Sequence, residues 1–160
     1  MRKFSLVAVS VAALLGVLFF TTRPMAGRVV VDDLEVALLG ECSIITVTFN
    51  FPVQYKRHFP YASGEDLRVQ LDAIVTGAEE AEALYTREAV LLPPGDIGEL
   101  LDVSYEGNID GGPYLTLFFR RAVKFSVAQG KDFRSLVVKV SPIKSAAPCK
   151  TAPEGTEQDR

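Results

Sequence analysis

The feature that most constrains the fold is a strict two-residue alternation of side chains between residues 45 and 59. The odd positions of this stretch are Ile45, Val47, Phe49, Phe51, Val53, Tyr55, Arg57 and Phe59. The even positions are Thr46, Thr48, Asn50, Pro52, Gln54, Lys56 and His58. Because successive side chains of a strand point to opposite faces, the pattern predicts a strand pair or a long bent strand with the odd face buried. Pro52 cannot donate a ladder hydrogen bond, which predicts a bend or an edge there.

A similar order of segments recurs about 70 residues further along the chain. At an offset of 70, the matched pairs are Thr46 with Thr116, Phe49 with Phe119, Val53 with Val123 and Tyr55 with Phe125. At an offset of 69, the alternating return segment Leu67, Val69 and Leu71 matches Leu136, Val138 and Val140. At an offset of 67, the lead-in residues Val36 and Gly40 match Val103 and Gly107. The repeated order predicts an internal duplication, although chance resemblance between two β segments is the alternative. Arg121 stands where Phe51 stands, so the second copy is expected to be bulged or exposed there.

The segment between the two copies has a different composition, which is typical of a helix. Thr76 and Glu79 have the spacing of a capping box, and residues 78–89 are rich in Ala, Glu and Leu. The sequence therefore predicts an all-β fold, a β-sandwich of two similar antiparallel halves at residues 29–75 and 97–142, with one short helix near 77–87 between them. The predicted core consists of Val47, Phe49, Val53, Tyr55, Leu67, Val69, Leu71, Leu117, Phe119, Val123, Phe125, Leu136, Val138 and Val140.

The N-terminal segment, residues 1–26, predicts export. Arg2 and Lys3 precede a largely apolar run over residues 4–20, and a polar stretch then ends in Ala26. This arrangement is typical of a secretory signal cleaved before Gly27. The run is also just long enough for an uncleaved inner-membrane anchor. Both interpretations place residues 27–143, the predicted β domain, outside the cytoplasm, in the periplasm of a Gram-negative type of envelope.

Cys42 and Cys149 are the two cysteines of the chain. In an oxidising compartment they are candidates for one disulfide. The alternative is a buried Cys42 and a free Cys149, because residues 144–160 have the polar composition of a disordered C-terminal tail.

The sequence offers little material for catalysis. His58 is the single histidine, no Gly-x-Ser-x-Gly motif occurs, and neither cysteine has nearby partners at metal-ligand spacing. A chain starting at Gly27 carries 14 basic and 20 acidic residues, which argues against non-specific nucleic-acid binding. We therefore expect a protein that is not an enzyme and has no cofactor, no metal and no nucleic-acid partner.

The expected binding surface is the polar, basic face of the sheet. Its predicted ligand-binding residues are Lys56, His58, Arg68, Arg120 and Lys124. Such side chains can hydrogen-bond an extended anionic polymer, and in the periplasm the obvious polymer is peptidoglycan. The alternative is an ordinary solvated face, because one-sided antiparallel sheets normally have a polar outer surface.

The segments 45–49, 52–55 and 67–71 resemble the amidase N-terminal (AMIN) domain. That periplasmic β module occurs on cell-wall amidases and type IV pilus secretins, and the likeness covers roughly residues 30–142. The return strand departs from the family pattern, since Asp66-Leu67-Arg68 lacks the usual Pro. The resemblance implies two similar four-stranded sheets and a role in binding peptidoglycan or in localisation to the envelope. The alternative function is a protein-docking accessory subunit of an envelope machine such as a secretin or pilus assembly.

Overall fold

The computed structural model describes residues 29–145 and residue 149, without the side chains of residues 79, 80 and 83. The predicted signal or anchor and most of the predicted tail, residues 144–160, lie outside the described residues. The prediction of an all-β fold is confirmed. The strands are β1 (Val31–Leu39), β2 (Cys42–Phe49), β3 (Val53–Phe59), β4 (Ser63–Ala73), β5 (Arg87–Ala89), β6 (Leu100–Glu106), β7 (Tyr114–Gln129) and β8 (Ser135–Pro142).

The strands form one open antiparallel sheet in the order β1-β2-β8-β7-β4-β3, with β6 also paired to β7 and β5 paired to β6. The long strand β7 lies in the middle of this sheet and pairs with strands on both of its sides. Its first part pairs with both β4 and β6, and its second part pairs with β8. The strands are therefore joined in one hydrogen-bonded network, and the predicted division into two similar halves is not confirmed at this level.

The sheet curves so that one of its faces encloses the core. The rings of Phe49 on β2 and Tyr105 on β6 lie 6.5 Å apart between centroids, although β2 and β6 are not neighbours in the sheet. The predicted core residues are buried, apart from Tyr55, which is half-buried. Ile45 and Phe51, on the face predicted to be buried, also belong to the core. Eight further core residues were not predicted, namely Val30, Val31, Leu34, Val90, Leu100, Val103, Tyr105 and Leu115.

The alternation predicted for residues 45–59 is wrong beyond Tyr55. A register shift in the β3–β4 ladder lies between Tyr55 and Arg57, and Lys56 and Arg57 are both exposed. Because an extra residue in a strand reverses the facing of every later residue, Phe59 becomes 70% exposed while His58 turns inward. His58 was predicted on the solvent face, and this bulge is the reason that it is half-buried instead.

The short helix predicted near residues 77–87 is not confirmed. The segment contains one α-helical turn, Ala78–Ala81, followed by a 3₁₀ turn, Glu82–Tyr85. The chain then enters β5 at Arg87. The last residues of the Ala- and Glu-rich stretch are therefore a strand paired with β6 and not part of a helix. Tertiary contacts here override a weak helical propensity.

Cys42 and Cys149 form a disulfide, with their Cα atoms 5.7 Å apart. Cys42 is the first residue of β2, and the bond ties it to a residue seven positions beyond the end of β8. The structure therefore agrees with the prediction of one disulfide and not with the alternative of a free Cys149.

Candidate functional site

A groove of about 340 Å³ opens where β3, β4 and β7 lie side by side. Aromatic and basic or amide side chains alternate around it, and we call it the aromatic–basic groove. Its lining residues are Arg57, His58, Phe59, Tyr61, Arg68, Gln70 and Tyr114.

Strand pairing positions most of these side chains on one face. Arg57 on β3 pairs with Gln70 on β4, and Gln70 pairs with Tyr114 on β7. Phe59 pairs with Arg68 in the same way. Since directly paired residues of an antiparallel ladder present their side chains on the same side, the bulge in β3 is what brings Arg57 and Phe59 to this face.

Arg68 forms part of the groove wall. Its guanidinium carbon lies 4.1 Å from the centroid of the Tyr114 ring, within the range of a cation–π interaction. Its Nη2 atom is 3.8 Å from Glu106 Oε2, and Glu106 also pairs with Arg87. Arg68 Nε is buried without a hydrogen-bond partner among the described residues. The side chain is 41% exposed, so the guanidinium is oriented by Tyr114 and Glu106 but still faces the groove.

A second set of hydrogen bonds orients Arg57. Its Nε donates to Gln70 Oε1 over 2.6 Å, and Gln70 Nε2 donates to the carbonyl oxygen of Gly111. Gly111 has a φ of 75° and belongs to the loop between β6 and β7. The Gln70 amide therefore couples the position of Arg57, which lines the groove, to that loop.

His58 closes one end of the groove as a supporting residue. Its Nε2 lies 3.0 Å from the carbonyl oxygen of Tyr61, which can only accept, so Nε2 carries a proton. Its Nδ1 lies 2.6 Å from Tyr55 Oη and accepts the phenolic proton when the ring is neutral. Burial, with a smaller contribution from nearby Tyr61, raises the pKa of Tyr55, so this hydroxyl stays protonated at neutral pH. The Nε2 contact thus helps to hold the turn that presents Tyr61, and the Nδ1 contact fixes the imidazole ring against Tyr55 on β3.

Phe59 and Tyr61 are the exposed aromatic residues of the groove, at 70% and 76% exposure. They flank Pro60 in the turn between β3 and β4. The His58 ring packs beneath this turn, 6.1 Å from both the Tyr61 and the Phe125 ring centroids. The turn therefore rests on the half-buried His58 ring and the buried Phe125 ring while its own two rings face solvent.

The five predicted ligand-binding residues do not converge on one site. His58 and Arg68 line the groove, whereas Lys56, Arg120 and Lys124 do not. Lys56 Nζ lies 3.7 Å from Asp72 Oδ2, and Lys124 Nζ donates to the carbonyl oxygen of Ser145 over 3.1 Å. Arg120 is exposed on β7.

Arg57, Phe59, Tyr61 and Tyr114 line the groove but were not among the predicted ligand-binding residues. Phe59 and Arg57 had been assigned to the buried face because strict alternation was continued past Tyr55. The sequence did contain one signal for an exposed aromatic site, namely the two aromatic residues on either side of Pro60. A turn rarely needs apolar rings for its own stability. Tyr114 becomes part of the site only through the pairing of β7 with β4.

The groove combines guanidinium donors with aromatic surface. Across residues 29–145 and residue 149, no cluster of three or more His, Cys, Asp or Glu residues could hold a metal ion. The helical segments of the same described part are too short and too polar to cross a membrane. No protein-family model, no curated protein and no solved structure matches this chain, so a candidate function rests on the geometry of the groove.

Proposed function

We propose that this protein is an exported, non-enzymatic cell-envelope module whose aromatic–basic groove binds peptidoglycan or another anionic glycan polymer. The observation that carries the proposal is the placement of Arg57 and Arg68 beside the exposed rings of Phe59 and Tyr61. Sugar rings have apolar C–H faces that pack on aromatic rings, and their carboxylate substituents accept charge-assisted hydrogen bonds from guanidinium groups. The groove offers both kinds of contact within one site.

The pairing registers support the finer proposal of two similar halves produced by duplication. The pair Val47–Leu136 between β2 and β8 corresponds to the pair Leu117–Leu67 between β7 and β4 when the offsets of 70 and 69 are applied. An equal correspondence relates Tyr55–Leu71 between β3 and β4 to Phe125–Val140 between β7 and β8.

Each half would then contribute strands to both of two four-stranded layers. One layer contains β1, β2, β8 and the second part of β7, and the other contains β6, the first part of β7, β4 and β3. The lead-in strands fit this scheme with a different alignment from the one that the sequence suggested. Leu34 pairs with Val47 as Val103 pairs with Leu117, so the equivalent of Val103 is Leu34 and not Val36. Two similar four-stranded units are what the resemblance to the AMIN domain implies.

The glycan-binding proposal is tested by sedimentation of the purified protein with cell-wall sacculi. Replacing Tyr61 with serine should weaken binding roughly threefold to tenfold, since a stacked aromatic contact contributes ~0.5–1.5 kcal/mol. Tyr85→Ser is the matched control, because Tyr85 is 75% exposed and Tyr61 76%, and Tyr85 lies outside the groove. Both variants should unfold at nearly the parent temperature, because surface substitutions usually change stability by within ~0.5 kcal/mol.

The basic contribution is tested with a second matched pair, Arg57→Gln and Arg120→Gln. Both arginines are exposed, but only Arg57 lines the groove. We expect Arg57→Gln to weaken sedimentation with sacculi and to reduce its dependence on salt, because attraction between exposed charges is screened at high ionic strength. Equal binding by the parent, Tyr61→Ser and Arg57→Gln would refute the proposed site. Equal weakening by Arg57→Gln and Arg120→Gln would assign binding to general surface charge.

The proposed location is the periplasm, with the domain either soluble or tethered to the inner membrane through residues 4–20. N-terminal sequencing of the protein recovered from cell envelopes distinguishes the two forms. Gly27 as the first residue means cleavage, and Met1 or Arg2 means an uncleaved anchor.

A further inference from the structure

Two of the free margins of the curved sheet face one another along a seam. One margin is β1, and the other is the segment 86–98, which contains β5 and the start of the loop to β6. At one end of the seam, the Glu88 carboxylate accepts backbone hydrogen bonds from Val30 (2.6 Å) and Val31 (3.4 Å). A side chain therefore bridges the two margins at this end.

The other end of the seam is closed by a tight contact. Gly98 lies against β1 and β2 so closely that a Cβ atom there would be 2.5 Å from Ser43 Oγ and 3.3 Å from Leu38 Cδ2. Between the two ends, no backbone–backbone hydrogen bond joins residues 29–39 to residues 86–98, all of which the structure describes. The sheet is thus unclosed along this seam.

A groove of about 530 Å³ occupies the unclosed part. Apolar side chains form both of its walls, with Val29, Val31 and Leu34 on one side and Val90, Leu91 and Pro93 on the other. Leu91 is 91% exposed, so its side chain adds accessible apolar surface to the groove. The groove shares no lining residue with the aromatic–basic groove.

The backbone of β5 has an unpaired edge toward this groove. Val90 N donates to the Val103 carbonyl and Gly107 N donates to the Thr86 carbonyl, each over 2.8 Å. These bonds place the even-numbered residues of this segment in the ladder with β6. In an antiparallel ladder alternate residues direct their N–H and C=O groups to opposite sides, so those of Arg87 and Ala89 point away from β6.

The charge at the groove is negative. Asp32, Asp33 and Glu88 line it, and the single basic lining residue, Arg87, is paired with Glu106. A carboxylate-bearing lipid would be repelled by this rim, whereas a cationic segment would be attracted. An unpaired edge next to an apolar groove is the setting in which peptides add as strands.

We propose that the seam is a strand-addition site for an extended cationic peptide. The peptide would hydrogen-bond to the free edge of β5, place apolar side chains from alternate positions in the groove, and direct lysine or arginine side chains to Asp32 and Asp33. This site is independent of glycan binding by the aromatic–basic groove.

The test uses a fluorescent, acetylated and amidated heptapeptide of alternating lysine and valine, titrated with the purified protein and followed by anisotropy. Asp32→Lys combined with Asp33→Lys should weaken binding about tenfold, since two attractive contacts become repulsive. The matched control is Asp102→Lys combined with Asp110→Lys, which makes the same charge change at exposed acids outside the groove and should leave binding nearly unchanged. A peptide N-methylated on alternate residues, which cannot complete the ladder, should not bind.

Several results would overturn the proposal. If the N-methylated peptide binds as well as the parent peptide, or the control pair weakens binding equally, the attraction is only electrostatic. If the peptide fails to bind while a dodecyl-chain detergent does bind, the groove is a lipid site. If the protein self-associates, and the Asp32 and Asp33 changes disrupt that association but leave peptide binding unchanged, the groove is occupied by a second copy of the chain. The variant with both Asp32 and Asp33 changed should still sediment with sacculi as the parent does, because these residues lie outside the aromatic–basic groove. This control keeps the peptide test separate from the test of glycan binding.

Discussion

Tyr105 is the largest side chain that the core encloses completely. It lies on β6, and its ring meets the Phe49 ring in an edge-to-face geometry with an interplanar angle of 65°. Burial raises the pKa of Tyr105 to about 12, and the negative charge of Glu88 contributes in the same direction. Since the pKa of an exposed tyrosine is about 10, the folded state holds this proton more tightly than the unfolded chain does.

We therefore expect the free energy of unfolding to fall as the pH rises from about 10 toward 12. The contribution is complete below the unfolded pKa of about 10 and is lost as the pH passes through the folded pKa, with a total of roughly 2–3 kcal/mol. Urea unfolding between pH 8 and 11.5 measures it. Tyr105→Phe should show a shallower loss than the parent, because lysines and the other tyrosines titrate in both proteins. Equal pH dependence in the two would contradict the assignment to Tyr105.

At the scale of the elements, the loop between β5 and β6 is fixed against β1 by Gly98. This glycine has a φ of 62°, in the left-handed region, and its Cα faces Ser43 and Leu38. Gly40, in the turn between β1 and β2, has a nearly equal φ of 64° but open space around it. The two glycines share a backbone conformation and differ in their surroundings.

Gly98→Ala should therefore destabilise the protein more than Gly40→Ala. Both substitutions carry the cost of a left-handed alanine, about 1 kcal/mol, but only the methyl group at residue 98 meets Ser43 Oγ. We expect the difference between the two variants to reach another ~1–3 kcal/mol, the usual cost of overpacking. Chemical denaturation of both variants measures it, and equal destabilisation would mean that the loop moves away from β1 without cost.

For the whole molecule, the decisive connections are long-range. β2 pairs with β8, and β4 pairs with β7, so two of the three central ladders join an early strand to a late one, and the third joins β7 to β8. The Cys42–Cys149 disulfide spans a sequence separation of 107 residues and encloses nearly all of these strands. It constrains the unfolded chain over almost the full length of the domain.

Replacing both Cys42 and Cys149 with serine should lower the free energy of unfolding by up to about 4–5 kcal/mol, the value for a closed loop of this length in the chain-entropy model. A reducing agent should have the same effect on the parent protein and no effect on the double variant. Thermal unfolding with and without the reducing agent measures both responses. An unchanged stability on reduction would show that the unfolded chain is already compact or that the bond is absent in solution.

The alternation of apolar and polar residues along the chain was sufficient to assign the buried face of most strands. In β2, β4 and β8, alternate apolar residues such as Val47, Val69 and Val138 are buried as expected, because the two-residue period is a local property of the extended backbone. The turn at Pro52 and the all-β class follow from equally local signals. Most of the core could be predicted from the sequence for this reason.

The composition of the aromatic–basic groove, in contrast, depends on contacts between distant strands. The bulge between Tyr55 and Arg57 depends on how β3 pairs with β4, and it reverses His58 and Phe59 relative to the sequence pattern. Tyr114 reaches Arg68 only because β7 lies beside β4. Pairing between distant strands and a one-residue register shift are set by packing of the complete sheet, and a pattern read along one segment contains no information about either.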